Sequence, residues 1–313
     1  MKHGTRKKKL KQRLMRPLAG LLAAGLLLCG GGAALAAANF DLGNNGTPIN
    51  IGAGPYGDMV MYGATAANPH VEVASSLTTA FQNLIIQGGG GNGIYAGIES
   101  TVGALTFAGN ATITAGSGNN EWASFQTNTN ITFTTGTVTV TGNMLNGAVF
   151  AVTNGATVTA GGGFQAGTGG NINLGSTGIG SGTLVGNVTL AGASGDPGRL
   201  KVGDDASKVI GNVTVGIIGG GEGSLQLFDG DESAPVFKSF TITGNLVLNN
   251  LQRGAAVTLP GSPSQTVIVG AGTTLTVGGS VAVNNDSILA LAGTLQSNAV
   301  SVQDSGKLVS TDD

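Results

Sequence analysis

The chain is poor in the residues that most proteins use for cross-linking and chemistry. Its 313 residues include one cysteine, Cys29, two histidines, and only 10% charged and 4% aromatic side chains. A disulfide framework and a zinc site of cysteines and histidines are therefore excluded. The 57 glycines follow no three-residue period and accompany only 8 prolines, which excludes collagen. Since 41% of residues are apolar, the chain can form a core, which we expect to consist of Val, Ile, Leu and Ala.

Residues 1–38 have the pattern of a signal peptide. The first 17 positions carry eight of the 14 Lys and Arg residues, the apolar run LAGLLAAGLLL follows, and small residues offer cleavage after Ala36 or Ala38. The run is shorter than the about 20 residues of a membrane-spanning helix. Lipid attachment at Cys29 is an alternative, although Leu28 stands where a lipoprotein signal has a small residue.

Removal of this leader changes the charge balance. Six basic and 16 acidic residues remain, a net charge of 6 − 16 = −10. This balance argues against nucleic acid as a partner. We expect an exported chain that has no membrane span once the leader is removed, and that is held together by packing and backbone hydrogen bonds.

The remaining chain alternates apolar and polar residues in short runs. These runs dominate from about residue 101 and are bounded by Gly, Asn, Asp or Ser, which is typical of half-buried strands. The phrase GNVTL at 186 returns as GNVTV at 211, and related phrases start at 109, 136, 155, 244 and 272. Such repetition indicates a solenoid. We predict an all-β fold: a right-handed parallel β-helix of irregular coils over 101–313, preceded by an irregular N-terminal cap or entry segment over 39–100.

The repeated phrase has a structural interpretation. In GNVTV, Gly211 is expected to turn a corner with positive φ, and Asn212 to stack on the asparagine of the neighbouring phrase. Val213 and Val215 are expected to point into the core and Thr214 to face solvent. The same roles are predicted for residues 186–190.

The rhythm of the chain resembles that of a known family. The segments GNGIYAGIESTVGALTFAGNATITAG (91–116), VTNGATVTAGGG (152–163) and TTLTVGGSVAVNNDSILALAGTLQSNAVSVQDSGKLV (273–309) resemble the passenger region of Gram-negative autotransporters. The resemblance covers about two thirds of the chain and does not include the C-terminal membrane β-barrel of that family. It implies a β-helix adhesin at the cell surface or secreted from the outer membrane, with no catalytic residues and no cofactor. Its expected partners are surface molecules of host or neighbouring cells, or a separate outer-membrane β-barrel.

Two acidic groups support alternative functions. Asp204 and Asp205, near Arg199 and Lys201, resemble parts of the polygalacturonase signature and suggest a polysaccharide-active lyase or glycosidase, although the family's order and its Gly-His-Gly element are missing. A second set of carboxylates suggests a calcium-stabilised secreted scaffold, with ligands Asp229, Asp231 and Glu232.

Two further features have weaker functional interpretations. His70, the last histidine, lies in the turn-like stretch AANPHVEV and is expected in a surface loop. Thr-x-Thr runs such as Thr137 and Thr139 resemble ice-binding faces, but we expect uneven coil lengths to prevent a regular threonine ladder.

Overall fold

The structure is a computed structural model in which 12 segments are described, with only the backbone at residues 62, 79, 80 and 310, and six more strands are described by their backbone. The segments are 57–62, 79–89, 104–119, 121–143, 145–176, 179–193, 195–217, 221–227, 239–249, 272–284, 287–291 and 293–310. The additional strands lie at 40–41, 49–51, 70–73, 94–100, 256–258 and 267–269. Residues 39–313 form one compact unit. The signal peptide and its cleavage after Ala36 or Ala38 lie outside the described residues and stay predictions.

The strands, numbered in chain order, form three large sheets and one small one. The first sheet contains β1 (Phe40–Asp41), β3 (Met59–Tyr62), β6 (Leu84–Gln87), β9 (Ala111–Thr114), β12 (Val138–Thr141), β15 (Phe164–Ala166), β18 (Val188–Leu190), β21 (Val213–Val215), β24 (Leu246–Leu248), β28 (Ser280–Val283) and β31 (Ala299–Val302). The second sheet contains β2 (Ile49–Ile51), β4 (His70–Val73), β7 (Ile94–Ser100), β10 (Ala123–Thr127), β13 (Ala148–Val152), β16 (Gly170–Leu174), β19 (Gly198–Val202), β22 (Gly223–Leu227) and β25 (Ala256–Thr258).

The other two sheets complete the coil. The third sheet contains β5 (Thr79–Phe81), β8 (Leu105–Phe107), β11 (Ile131–Phe133), β14 (Ala156–Ala160), β17 (Gly182–Val185), β20 (Lys208–Ile210), β23 (Ser239–Ile242), β27 (Thr274–Val277) and β30 (Thr294–Gln296). The small fourth sheet contains β26 (Val267–Val269), β29 (Ile288–Leu291) and β32 (Lys307–Ser310).

All described strand pairs are parallel, and each strand pairs with the equivalent strands of the preceding and following coils. For example, β18 lies between β15 and β21, with Val188 opposite Phe164 on one side and Val213 on the other. The described residues include no helix, and therefore none that could span a membrane. The prediction of an all-β parallel β-helix, a β-solenoid, is confirmed.

The solenoid begins well before residue 101. Strands β1 to β7 join the same three sheets as the later strands; β6, for example, pairs with β9 in register. The prediction of an irregular cap over 39–100 is therefore corrected: this stretch already contains coils. His70 opens β4 and pairs with Gly97, so the expectation of a loop histidine is corrected as well.

The spacing of the repeats has a simple structural cause. Along the first sheet, successive partners from Met59 to Val213 are 24 to 27 residues apart, and the next two intervals are 33 and 35 residues. The phrases at 155 and 272 precede β14 and β27 of the third sheet, whereas the other five precede strands of the first sheet. The spacing of the phrases in the sequence is therefore uneven because the phrases belong to two different sheets of the same coil.

The core runs between the sheets and consists of their alternate residues. Val188, Leu190, Val213 and Val215 are all at most 1% exposed, which confirms the predicted inward positions, and Thr214 between two of them is half-buried. The expectation that aromatic residues are absent from the core was wrong. All seven phenylalanines whose side chains the structure describes are fully buried: Phe81, Phe107, Phe125, Phe133, Phe150, Phe164 and Phe240.

The phenylalanines stack because identical positions recur from coil to coil. On the third sheet, the ring centroids of Phe81 and Phe107 are 5.3 Å apart and those of Phe107 and Phe133 are 4.8 Å apart. On the second sheet, Phe125 and Phe150 are 5.7 Å apart. Each such pair stabilises the fold by about 0.5–1.5 kcal/mol beyond its burial.

Candidate functional site

The asparagines of the repeated phrase form a ladder of hydrogen bonds along one corner of the coil. The backbone N–H of Asn212 donates to Asn187 Oδ1 at 3.0 Å, and Asn212 Nδ2 donates to the same oxygen at 3.0 Å. The backbone N–H of Asn245 donates in turn to Asn212 Oδ1 at 2.8 Å, and that of Ser280 to Asn245 Oδ1 at 2.8 Å. The predicted stacking is confirmed, and each asparagine side chain caps the next coil.

The glycine before each asparagine is required by the same ladder. Gly211 has a φ of 156°, and a Cβ there would collide with the carbonyl oxygen of Gly186 in the coil before it. At Gly244, a Cβ would collide with Asn212 Oδ1 itself. The dipeptide Gly-Asn therefore recurs because the backbone or the asparagine cap of one coil fills the space that a side chain on the next coil would need. The repeated phrase is therefore a building block of the coil.

The functional candidate lies at another corner, where the first sheet turns into the second. Three successive turns meet there: residues 142–143 and 145–147 between β12 and β13, 167–169 between β15 and β16, and 191–193 and 195–197 between β18 and β19. They enclose an open cleft of about 420 Å³, here called the corner cleft. Its lining consists of Asn143, Leu145, Asn146, Gly147, Gly169, Asn171, Gly195, Asp196 and Arg199.

The floor of the corner cleft is held by two asparagines. Asn143 Nδ2 donates to the carbonyl of Gly116 at 2.6 Å, while its Oδ1 accepts the backbone N–H groups of Leu145 and Asn146 at 2.9 and 3.0 Å. Asn146 Nδ2 donates to the carbonyl of Gly118 at 2.6 Å. Both amides are thus used to build the corner, which makes the cleft a preformed surface.

The wall of the corner cleft contains polar groups that can form further hydrogen bonds. Arg199 and Asn171 are register partners on adjacent strands. Arg199 contacts Asp196 through one nitrogen, at 3.5 Å from Asp196 Oδ1, and a guanidinium group has five N–H donors. Asn171 Nδ2 donates to the carbonyl of Gly169 at 3.3 Å, but Asn171 Oδ1 is buried and has no hydrogen-bond partner among the described residues. The Asp196–Arg199 pair makes the charges of the lining cancel.

Two exposed apolar side chains accompany the corner cleft. Leu145 is 70% exposed at its edge, and Trp122, in the corner one coil earlier, is 41% exposed. The two corners are joined by the backbone N–H of Glu121, which donates to Asn146 Oδ1 at 3.0 Å. Trp122 therefore lies in the same column of corners as the cleft, where its ring presents an apolar face and its N–H a hydrogen-bond donor.

The carboxylates predicted for a polysaccharide-active enzyme lie elsewhere, in the turn between β19 and β20. Asp204 Oδ1 accepts the backbone N–H of Ala206 at 2.9 Å, and Asp205 Oδ1 accepts that of Ser239 at 3.0 Å. Both carboxylates therefore stabilise turns. Asp204 and Asp205 do not line the corner cleft. Of the neighbouring basic residues, Arg199 does line the cleft, whereas Lys201 lies on the outer face of β19.

The predicted calcium ligands Asp229, Asp231 and Glu232 lie outside the described residues, so the calcium scaffold stays a prediction. Within the described segments, no group of three or more His, Cys, Asp or Glu side chains is arranged to hold a metal ion.

Threonines do form columns on the outer faces. Thr112 pairs with Thr139 on the first sheet, and Thr189 pairs with Thr214, but Gln165 separates the two pairs. The expectation that uneven coils would break threonine register was wrong, because extra residues enter the turns and leave the strands aligned. The substitution of glutamine, and not coil length, interrupts this column.

No family model, no curated protein and no solved structure matches the chain. The corner cleft itself carries no local sequence motif, because its residues come from three turns and from strands β16 and β19, which are about one coil apart. The only signal in the sequence is the concentration of Asn and Gly in those turns.

Proposed function

We propose that the chain is an exported structural and adhesive module, similar to an autotransporter passenger, that acts by binding and not by catalysis. Its support is the in-register stack of parallel strands, in which the inner positions form the core and the outer positions form long faces interrupted by corner turns. A stack of this kind holds surface groups at a fixed spacing of about 4.8 Å per coil. Binding groups on successive corners are therefore preorganised with little cost in entropy.

The proposal of a polysaccharide-active enzyme receives less support from the geometry. The backbone hydrogen bonds of Asp204 and Asp205 give both carboxylates a structural role. At the corner cleft, Asp196 is paired with Arg199, and the nearby Glu222 Oε2 accepts the backbone N–H of Gly195 at 3.0 Å. Glycoside hydrolysis commonly uses two carboxylates that face each other across the scissile bond.

The adhesive function is tested in Gram-negative cells that produce the full chain with a C-terminal epitope. We expect the chain to be exported, to become accessible to antibody on intact cells, and to increase attachment to other cells or to polysaccharide-coated surfaces. The matched control is Leu22→Arg with Leu27→Arg, which interrupts the apolar run and should keep the chain inside. Retention of the unaltered chain in the cytoplasm, or export without any gain in attachment, would contradict the proposal.

A further inference from the structure

We propose that the corner cleft is a binding site for a neutral saccharide chain, an inference that rests on the proposed adhesive function and names its ligand class. The charges of the cleft lining favour a neutral ligand. The lining contains one cation and one anion, Arg199 and Asp196, 3.5 Å apart. A strongly anionic ligand would have to compete with Asp196, in a chain with an excess of acidic residues, whereas a neutral ligand with many hydroxyl groups meets no net repulsion.

The hydrogen-bond donors and acceptors of the cleft lining favour a ligand with many hydroxyl groups. Asn171 Oδ1 is one of five buried side-chain oxygens without a hydrogen-bond partner among the described residues, and of these five residues Asn171 is the one in the cleft lining. Asn171 is half-buried, and rotation of its amide, with loss of the 3.3 Å hydrogen bond from Nδ2 to the Gly169 carbonyl, would present Oδ1 to a hydroxyl group of the ligand. Arg199 supplies donors and Asp196 acceptors beside it. Neighbouring hydroxyl groups of one sugar ring, each both donor and acceptor, match this mixed set.

The exposed apolar side chains beside the cleft favour a ligand that also has apolar faces. Leu145 at the edge of the cleft is 70% exposed, and Trp122 one corner earlier is 41% exposed. The C–H face of a sugar ring packs against such side chains while its hydroxyl groups face the polar wall. Because the two residues lie on successive corners, a ligand that contacts both must extend along the stack, which favours an oligosaccharide over a single sugar.

The structure also supplies a substitution that closes the cleft without damaging the fold. Gly147 lines the cleft, is exposed, and has no positive φ. A Cβ at Gly147 would meet nothing closer than the carbonyl oxygen of Gly169 at 3.7 Å, so Gly147→Leu places its side chain in the opening. By contrast, Gly169 has a φ of 58°, and any side chain there would be strained.

The test measures binding of the exported chain to hexasaccharides of glucose, xylose and mannose, with hexagalacturonate as the acidic comparison. Trp122 is the only tryptophan of the chain, so its fluorescence reports on this corner, and calorimetry gives the dissociation constant. We expect at least one neutral hexasaccharide to bind and to change the fluorescence. Asn171→Ala and Arg199→Ala should each weaken binding about tenfold or more, and Gly147→Leu should abolish it. Lys208→Ala, an exposed change on the third sheet, is the matched control and should bind normally.

Three results would overturn the inference: no binding of any neutral hexasaccharide at millimolar concentration, binding of hexagalacturonate alone, or binding that is insensitive to Gly147→Leu and Arg199→Ala. Urea unfolding of each variant shows whether a loss of binding reflects a loss of fold. The outcome is separable from that of the adhesive function. If cells carrying Gly147→Leu attach as well as the unaltered cells, the cleft is not the adhesive site and the adhesive function stands. If saccharide binds to the cleft but cells gain no attachment, the binding site stands and the adhesive function fails.

Discussion

The substitution Val213→Asp tests the assignment of inner and outer positions in the repeated phrase. Val213 is fully buried between its register partners Val188 and Leu246. Loss of the valine side chain from the core removes about 1.5–2 kcal/mol of burial. A carboxyl group there has no designed partner, and burial of an unpaired polar group costs about 2–7 kcal/mol. The sum, about 4–9 kcal/mol, is a large part of the about 5–15 kcal/mol by which domains are commonly stable.

The next residue provides the control. Thr214→Asp introduces the same group one position along β21, on a half-buried outer face, where we expect a loss of at most about 1 kcal/mol. Urea unfolding followed by circular dichroism measures both variants. We expect Val213→Asp to lose one cooperative part of the transition or the whole fold, since coils are stabilised by their neighbours. Equal unfolding midpoints for the two variants would refute the assignment.

Three further predictions concern the ladder, the register and the alternative enzyme. Asn212→Ala removes the side-chain hydrogen bonds to Asn187 and from Asn245, and because these bonds are exposed we expect a loss of about 1–2 kcal/mol in urea unfolding, against no change for the control Thr189→Ala. Thr189→Cys with Thr214→Cys places two thiols on paired positions of adjacent coils, so mild oxidation should form a disulfide. The control Thr189→Cys with Val247→Cys places the thiols two coils apart and should remain reduced. A disulfide in the control but not in the first variant would show that the register is wrong. Asp204→Asn with Asp205→Asn should leave cell attachment unchanged, and loss of attachment or of a polysaccharide-cleaving activity in this variant would favour the enzyme.

Much of the fold was predictable because it depends on local patterns. Alternation in GNVTV places Val213 and Val215 inward, and the Gly-Asn pair marks the corner that precedes strands of the first sheet. Two features escaped this reasoning. The early coils were missed because β1 to β5 have only two to four residues each and are separated by turn-rich stretches. The phenylalanine columns were missed because a low overall content says nothing about where those residues are placed.

The corner cleft could not be predicted from local patterns. Asn143, Asn171 and Arg199 are each separated by about one coil, and only the parallel register brings them to one surface. Carboxylates that look catalytic in the sequence, Asp204 and Asp205, instead accept backbone N–H groups. Side chains adjacent in the sequence alternate between faces, whereas side chains one coil apart are neighbours, and the length of each coil is set by turns that carry little signal.

The proposed function requires that the protein binds a polymer without converting it. The most direct measurement passes neutral polysaccharide over the immobilised exported chain, quantifies the polymer that is retained, and determines its chain length before and after contact. We predict that the polymer is retained, that retention falls with Gly147→Leu, and that the chain length stays constant. Shortening of the polymer that disappears in the variant Asp204→Asn with Asp205→Asn, or the absence of retention, would contradict the claim.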